Sequence, residues 1–151
     1  MTYKVRKANL NDLEKIVEFI FAEASDAEGI TKTPNKILNG VKTGIKNPNI
    51  ARYWVLENAK EELVGCSSVV KEWSDWNCAF YWWIQSMFIR AEYRGQGLMA
   101  ILLDVIKAAA RAENALELRL YVHKDNDRAI KAYRRAGFSA ADYQIMTTTL
   151  A

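Results

Sequence analysis

The sequence predicts a single α+β domain: a mixed, mostly antiparallel twisted sheet of six to seven strands flanked by about four helices. Three observations predict it. The chain has 151 residues, 50% hydrophobic and 26% charged, which suits one sizeable core. Its first half alternates apolar runs with polar turns, as antiparallel hairpins do. Residues 84–122 then read as strand, polar turn, long amphipathic helix and strand, the crossover that a parallel pair requires.

Taken in order, Tyr3 to Ala8 alternates as a short strand. Asn11 with Glu14 offers a capping box for a first helix over residues 10–24, whose face carries Leu13, Ile16, Val17, Ile20 and Phe21. A polar loop over 25–33, with Glu28, leads to a second helix over 34–45, closed by Asn47-Pro48-Asn49. Residues 52–57 and 63–71 form a hairpin, and residues 81–89 pair with its second arm across the loop 72–78. A helix over 97–112 buries Leu98, Ile101, Leu102, Val105, Ile106 and Ala109. Residues 116–122 are the clearest strand. Asn126 caps a last helix that Gly137 ends, and Phe138 with residues 143–150 reads as closing strand.

The turn after residue 89 carries the chemistry. The first N–H groups of a helix lack intrahelical partners, and the peptide dipoles place partial positive charge there. Gly95 and Gly97 let the backbone adopt unusual dihedrals and a ligand approach closely, and Arg94 adds a full positive charge. Such a turn suits a pyrophosphate. A P-loop is excluded, because Gly97 is followed by Leu98 and Met99 rather than Lys and Ser/Thr. Gly95-Gln96-Gly97-Leu98-Met99-Ala100 matches the dinucleotide pattern formally, with Glu117 about 20 residues on, so an NAD(P)-binding protein is a rival reading. Against it, five residues separate the apolar run from Gly95, and only about 50 residues remain for the units that fold needs.

Arg94-x-x-Gly97-x-Met99, after an apolar strand and Glu92-Tyr93, resembles the acetyl-CoA signature of the GNAT superfamily of N-acetyltransferases, with Met99 where Gly or Ala is usual. Asn126-x-x-Ala129-x-x-x-Tyr133-x-x-x-Gly137-Phe138 looks like that family's second signature. The two stand in the right order, one helix and one strand apart. The resemblance implies an acetyl-CoA-dependent N-acetyltransferase in which an amine attacks the thioester directly. It implies that free main-chain groups of Met87, Phe88 and Ile89 bond the pantetheine arm, and that N–H groups of Gly95, Gln96, Gly97, Leu98 and Met99 bind the pyrophosphate. It also implies that Asn126 and Ala129 belong to the cofactor site and that Tyr133 is both a cofactor contact and the general acid. The rival from another class is a module that binds and senses acyl-CoA without transferring the group.

The chemistry sets what else is needed. The departing thiol has a pKa of about 8.5 and tyrosine about 10, so a proton from Tyr133 eases departure. A lysine-like acceptor has a pKa of about 10.4, so freeing its lone pair at neutral pH costs roughly 4–5 kcal/mol. Some relatives carry a Glu on the strand before the turn; the aligned position here is Trp83. Gln85, on the same face if no bulge intervenes, could order a water, and Glu72 and Asp75 are the nearest acidic candidates for a base. Glu28 and Trp83 are candidates for the acceptor wall, since aromatic faces attract ammonium groups.

Composition narrows the partners. The net charge of +3, with Lys and Arg spread along the chain, argues against nucleic acid. Isolated Cys66 and Cys78 fit neither a metal site nor a disulfide scaffold. No apolar run is long enough for a membrane. The expectation is a cytoplasmic enzyme without a metal, acting on a small-molecule or protein amine; the resemblance also allows a homodimer.

Overall fold

The structure, a computed structural model, describes residues 2–28 and 34–151, with the backbone alone for residues 25–28. It divides into two compact units, Met1–Tyr121 and Val122–Ala151. The first holds a sheet in the order β1 (Lys4–Lys7), β2 (Arg52–Glu57), β3 (Leu63–Ser74), β4 (Ala79–Ile89) and β5 (Leu118–Leu120). Neighbours are antiparallel except β4 and β5, which are parallel. Its helices are α1 (Leu13–Glu28), α2 (Pro34–Lys46) and α3 (Leu98–Ala112), and α4 (Asp127–Arg135) lies in the second unit. The expected mixed sheet and four helices are present, but the strands number five among the described residues, not six to seven.

The shortfall lies at the C-terminus. Residues 138–151 carry no strand, and Tyr143, Ile145, Met146 and Leu150 are exposed. Alternation shows that a segment could serve as a strand; a ladder partner makes it one. Strand β5 is likewise only three residues long, not seven. Its last pair is Ile84 with Leu120, and the next residue of β4, Gln85, is skipped in the register with β3. That bulge bends β4 away from β5.

One face of the sheet packs on α1 and α2. Ile16 and Phe19 of α1, Val41 of α2, Val55, Cys66 and Phe88 form one buried cluster, with Phe19 stacked on Phe88 at 5.1 Å. The other face meets α3, whose buried residues are Leu98, Leu102, Leu103, Ile106 and Ala110. Leu103 and Ala110 are buried where Ile101, Val105 and Ala109 were expected, and those three are only half-buried, a stripe turned slightly about the helix axis. The start of α1 also differs. Asn9, not Asn11, is the cap: its side chain accepts from Asn11 N–H, and Asp12 accepts from Asn9 N–H, both at 2.8 Å. A short 3-10 turn over Leu10–Asp12 intervenes because Arg6 of β1 grips Asp12 with two hydrogen bonds, of 2.8 and 2.9 Å.

Candidate active site

The bulge at Gln85 organises the site. Before it, Trp82 lies beside Trp54 and beneath Arg52 and Lys71, both of which pair with Glu113 at the end of α3. After it, Phe88 packs against α1. Trp82 and Phe88 are an even number of residues apart and would share a face in an unbroken strand. The extra residue swaps the faces, so the condition on which Gln85 would share the face of Trp83, an unbroken strand, is not met; Gln85 is exposed and has no residue opposite it. The hydroxyls of Ser68 and Ser86, at 2.6 Å, and Ser67 Oγ donating to Ser86 O at 2.7 Å tie β3 to β4 beside the bulge.

Past the bulge the outer edge of β4 has no strand beside it among the described residues. Arg90 N–H donates to Val64 O of β3. By ladder alternation Phe88, opposite Cys66, also turns its main chain toward β3, while Met87 and Ile89 face the open edge. The expectation of three free residues therefore needs correction. Only two face outward, and side chains hold both: Met87 N–H donates to Glu23 Oε2 at 2.9 Å, and Ile89 O accepts from Arg94 Nε at 2.8 Å. The Arg94 guanidinium carbon lies 5.5 Å from the Phe88 ring centre.

The turn follows. Its 3-10 segment, Ala91–Tyr93, is anchored by Tyr93, which meets Tyr3 edge-on and accepts a hydrogen bond from Asn58. Tyr3 also donates to Gln96 Oε1 at 2.9 Å. Gly95 and Gly97 have φ of 81° and 76°. A Cβ added at either would meet nothing within 4 Å, so the glycines answer to the left-handed backbone and the space beside them is open. Gly97 caps α3 without a side-chain acceptor. Leu98 is buried beneath the turn and Met99 is half-buried. A 15-residue helix that starts at a left-handed glycine without a side-chain cap presents first-turn N–H groups of the kind that suit a pyrophosphate.

In the second unit, Asn126 accepts from Ala129 N–H at 3.2 Å, the expected cap. Helix α4 ends in a Schellman motif: Phe138 N–H donates to Tyr133 O at 2.9 Å, Gly137 N–H to Arg134 O at 3.0 Å, and Gly137 has φ of 99°. Tyr133 and Phe138 meet edge-on at 5.5 Å, the apolar contact that accompanies this ending. The spacing Tyr133…Gly137-Phe138 thus has a structural basis of its own.

The remaining candidates separate. Glu72 and Trp83 come together, with Trp83 Nε1 donating to Glu72 Oε1 at 2.7 Å. Arg119 joins them, 3.6 Å from Glu72 and 3.4 Å above the Tyr81 ring, while Tyr121 stacks on Trp83. Strand β3 is regular here, so Glu72 lies on the face that carries Cys66, toward α1 and α2. Asp75 stands apart, exposed in the tip between β3 and β4. Glu28 is the last residue of α1 rather than part of a loop, and its side chain lies outside the described residues. Of the tryptophans, Trp82 is core, Trp73 and Trp76 are exposed, and Trp83 is partly covered.

Sequence reasoning missed Glu23. The signal was present: Glu23 continues the stripe of Ile16, Phe19 and Ile20, so an acidic residue occupies an inward position of α1. Its charge and burial together push the Cys66 thiol up, burial contributing most.

These features place a glycine turn that opens α3 beside a strand edge with no ladder partner among the described residues. The model of the acetyltransferase (GNAT) family matches residues 14–138, and the chain belongs to that family. Along its full length it is similar to a possible acetyltransferase from Clostridium difficile 630, at 28% identity and a TM-score of 0.91, covering 100% of this chain and 99% of that one. A predicted acetyltransferase with acetyl-CoA from Clostridium acetobutylicum shares the fold at a TM-score of 0.77 and 19% identity, over 97% of this chain and 96% of that one. A mycothiol acetyltransferase of Corynebacterium aurimucosum is 45% identical over 51 residues, 34% of this chain but only 17% of that relative's length.

Proposed function

We propose that the protein is an acetyl-CoA-dependent N-acetyltransferase that moves an acetyl group to a primary amine by direct attack. The turn from Arg94 to Met99 carries the reading: two left-handed glycines start α3 with its N–H groups uncapped, next to the open edge of β4. Bound acetyl-CoA would supply the activated acyl group as a thioester. The N–H groups from Gly95 to Met99 would hold its pyrophosphate, and the outward main chain of Met87 and Ile89 would align its arm as β-augmentation does. Asn126 and Ala129 are assigned to the same cofactor by their motif. Tyr133, as that motif implies, supplies the proton for the departing thiolate. Glu72 and Trp83, gathered with Tyr81 and Tyr121, are proposed to wall the acceptor side.

Thermal unfolding with CoA, acetyl-CoA or NAD tests the reading. Ligand at about 100 times its dissociation constant adds roughly 2.7 kcal/mol. For a chain of this size that raises Tm by roughly 5–10 °C. We expect the rise with CoA and acetyl-CoA and none with NAD. A rise with NAD alone overturns the assignment. Binding without CoA release across a broad amine panel favours the acyl-CoA-sensing module instead.

A further inference from the structure

The open edge of β4 is already occupied. Glu23 Oε2 accepts the Met87 N–H at 2.9 Å, from a residue 64 positions away in sequence. Three observations make this more than a surface contact. Glu23 sits on the inward stripe of α1, among side chains that build the core. It lies close enough to the buried Cys66 to disfavour that thiol's ionisation. Its target is the first outward-facing N–H of β4 beyond the bulge. A cofactor arm aligned on this edge meets Met87 N–H with one of its carbonyl oxygens, and a single N–H cannot serve both acceptors well.

We infer that Glu23 is a place-holding carboxylate that yields Met87 N–H to the incoming cofactor and then receives the ammonium of the acceptor. The inference rests on the N-acetyltransferase reading above and names a residue for the step that reading leaves unassigned. Once displaced, Glu23 remains tethered to α1 beside the strand edge along which the acyl arm lies, and it carries the charge that selects a cationic amine. In the transfer, Glu23 takes one proton from the ammonium, which frees the nitrogen lone pair. The C–N bond forms as the thioester C–S bond breaks. Sulfur leaves with the bonding pair and takes the proton supplied by Tyr133, and the second proton that the nitrogen gives up restores Tyr133.

Calorimetric titration of the full chain with acetyl-CoA separates the two layers of this argument. If the wild-type chain does not bind acetyl-CoA, the functional reading fails and the Glu23 assignment falls with it. If it binds, Glu23→Ala must bind at least about threefold more tightly, because a charged acceptor no longer competes for Met87 N–H. Should the alanine variant not fold, Glu23→Gln carries the same comparison with the shape preserved and the charge removed. Equal or weaker affinity in a folded variant overturns the displacement.

The second arm is CoA release with spermidine, an aminoglycoside, a lysine peptide and a peptide with a free N-terminus. For any amine that the wild type acetylates, Glu23→Gln is expected to lower kcat/KM by about 30-fold or more, with Glu23→Asp recovering part of the loss. Unchanged kcat/KM alongside retained acetyl-CoA binding overturns the ammonium role. If none of the four amines reacts, titration of spermidine into the acetyl-CoA complex takes the place of turnover, and failure of Glu23→Gln to weaken spermidine binding overturns the ammonium role.

Discussion

Gly97 stands at φ of 76° with no atom within 4 Å of where a Cβ would project. Gly97→Ala therefore meets no clash, only backbone strain of about 1–2 kcal/mol. We expect a folded variant, modestly less stable in a urea titration, whose acetyl-CoA affinity drops because the turn relaxes out of shape. Tyr133 poses a different question, since its ring closes the end of α4 against Phe138 and its hydroxyl is assigned to chemistry. Tyr133→Phe keeps the ring contact and removes the O–H. The expected outcome is a lower rate of acetyl transfer, by about 10²-fold or more for a lost general acid, with cofactor affinity nearly unchanged. Turnover equal to wild type in a stopped-flow assay would sink Tyr133 as the acid.

Each element shows how far local chemistry reaches. Helix α4 was legible nearly to the residue: Asn126 caps it and Gly137 ends it, both through bonds between residues at most five apart. Asn126→Ala should cost about 1 kcal/mol through the lost cap, read as a lower Tm, together with weaker acetyl-CoA binding. If the melt changes and cofactor affinity does not, Asn126 is a cap and nothing more. Strand β4 was legible as a strand and illegible as a broken one. Its alternation runs through Gln85 without a mark, because a bulge is defined by the count on the opposite strand. The same limit shortened β5 and left residues 143–150 without a ladder. Glu23 shows the reverse case: the stripe of α1 marked it as inward, but its target lay on another element.

At the scale of the molecule, Arg6, Asp12 and Glu57 join β1, the start of α1 and β2. Burial by itself would push the Asp12 carboxyl up. The hydrogen bonds from Arg6 and Asn9 N–H and the charge of Arg6 outweigh it and hold the carboxyl below its ordinary value of 3.8. A depressed carboxylate contributes stability that is present above its unfolded value and lost as pH falls through its folded one. Thermal melts from about pH 7 to pH 2.5 should show Asp12→Asn destabilised by about 1–3 kcal/mol at neutral pH, with the gap to wild type narrowing below about pH 4. A gap that stays constant into acid would assign the loss to packing rather than to the carboxylate.

The sequence by itself determined the class of protein. Two glycine-bearing motifs in order, the caps, the hairpin alternation and the stripes of the helices depend on residues near one another along the chain, and local chemistry selects them there. Tertiary structure decided the rest. It set where β4 breaks step, which of Met87, Phe88 and Ile89 face the open edge, that Trp83 hydrogen-bonds Glu72 while Asp75 stands apart, and that Glu23 reaches Met87. Each of those depends on the separation and register of segments distant in sequence, which hydrophobic pattern constrains only to a face and not to a partner.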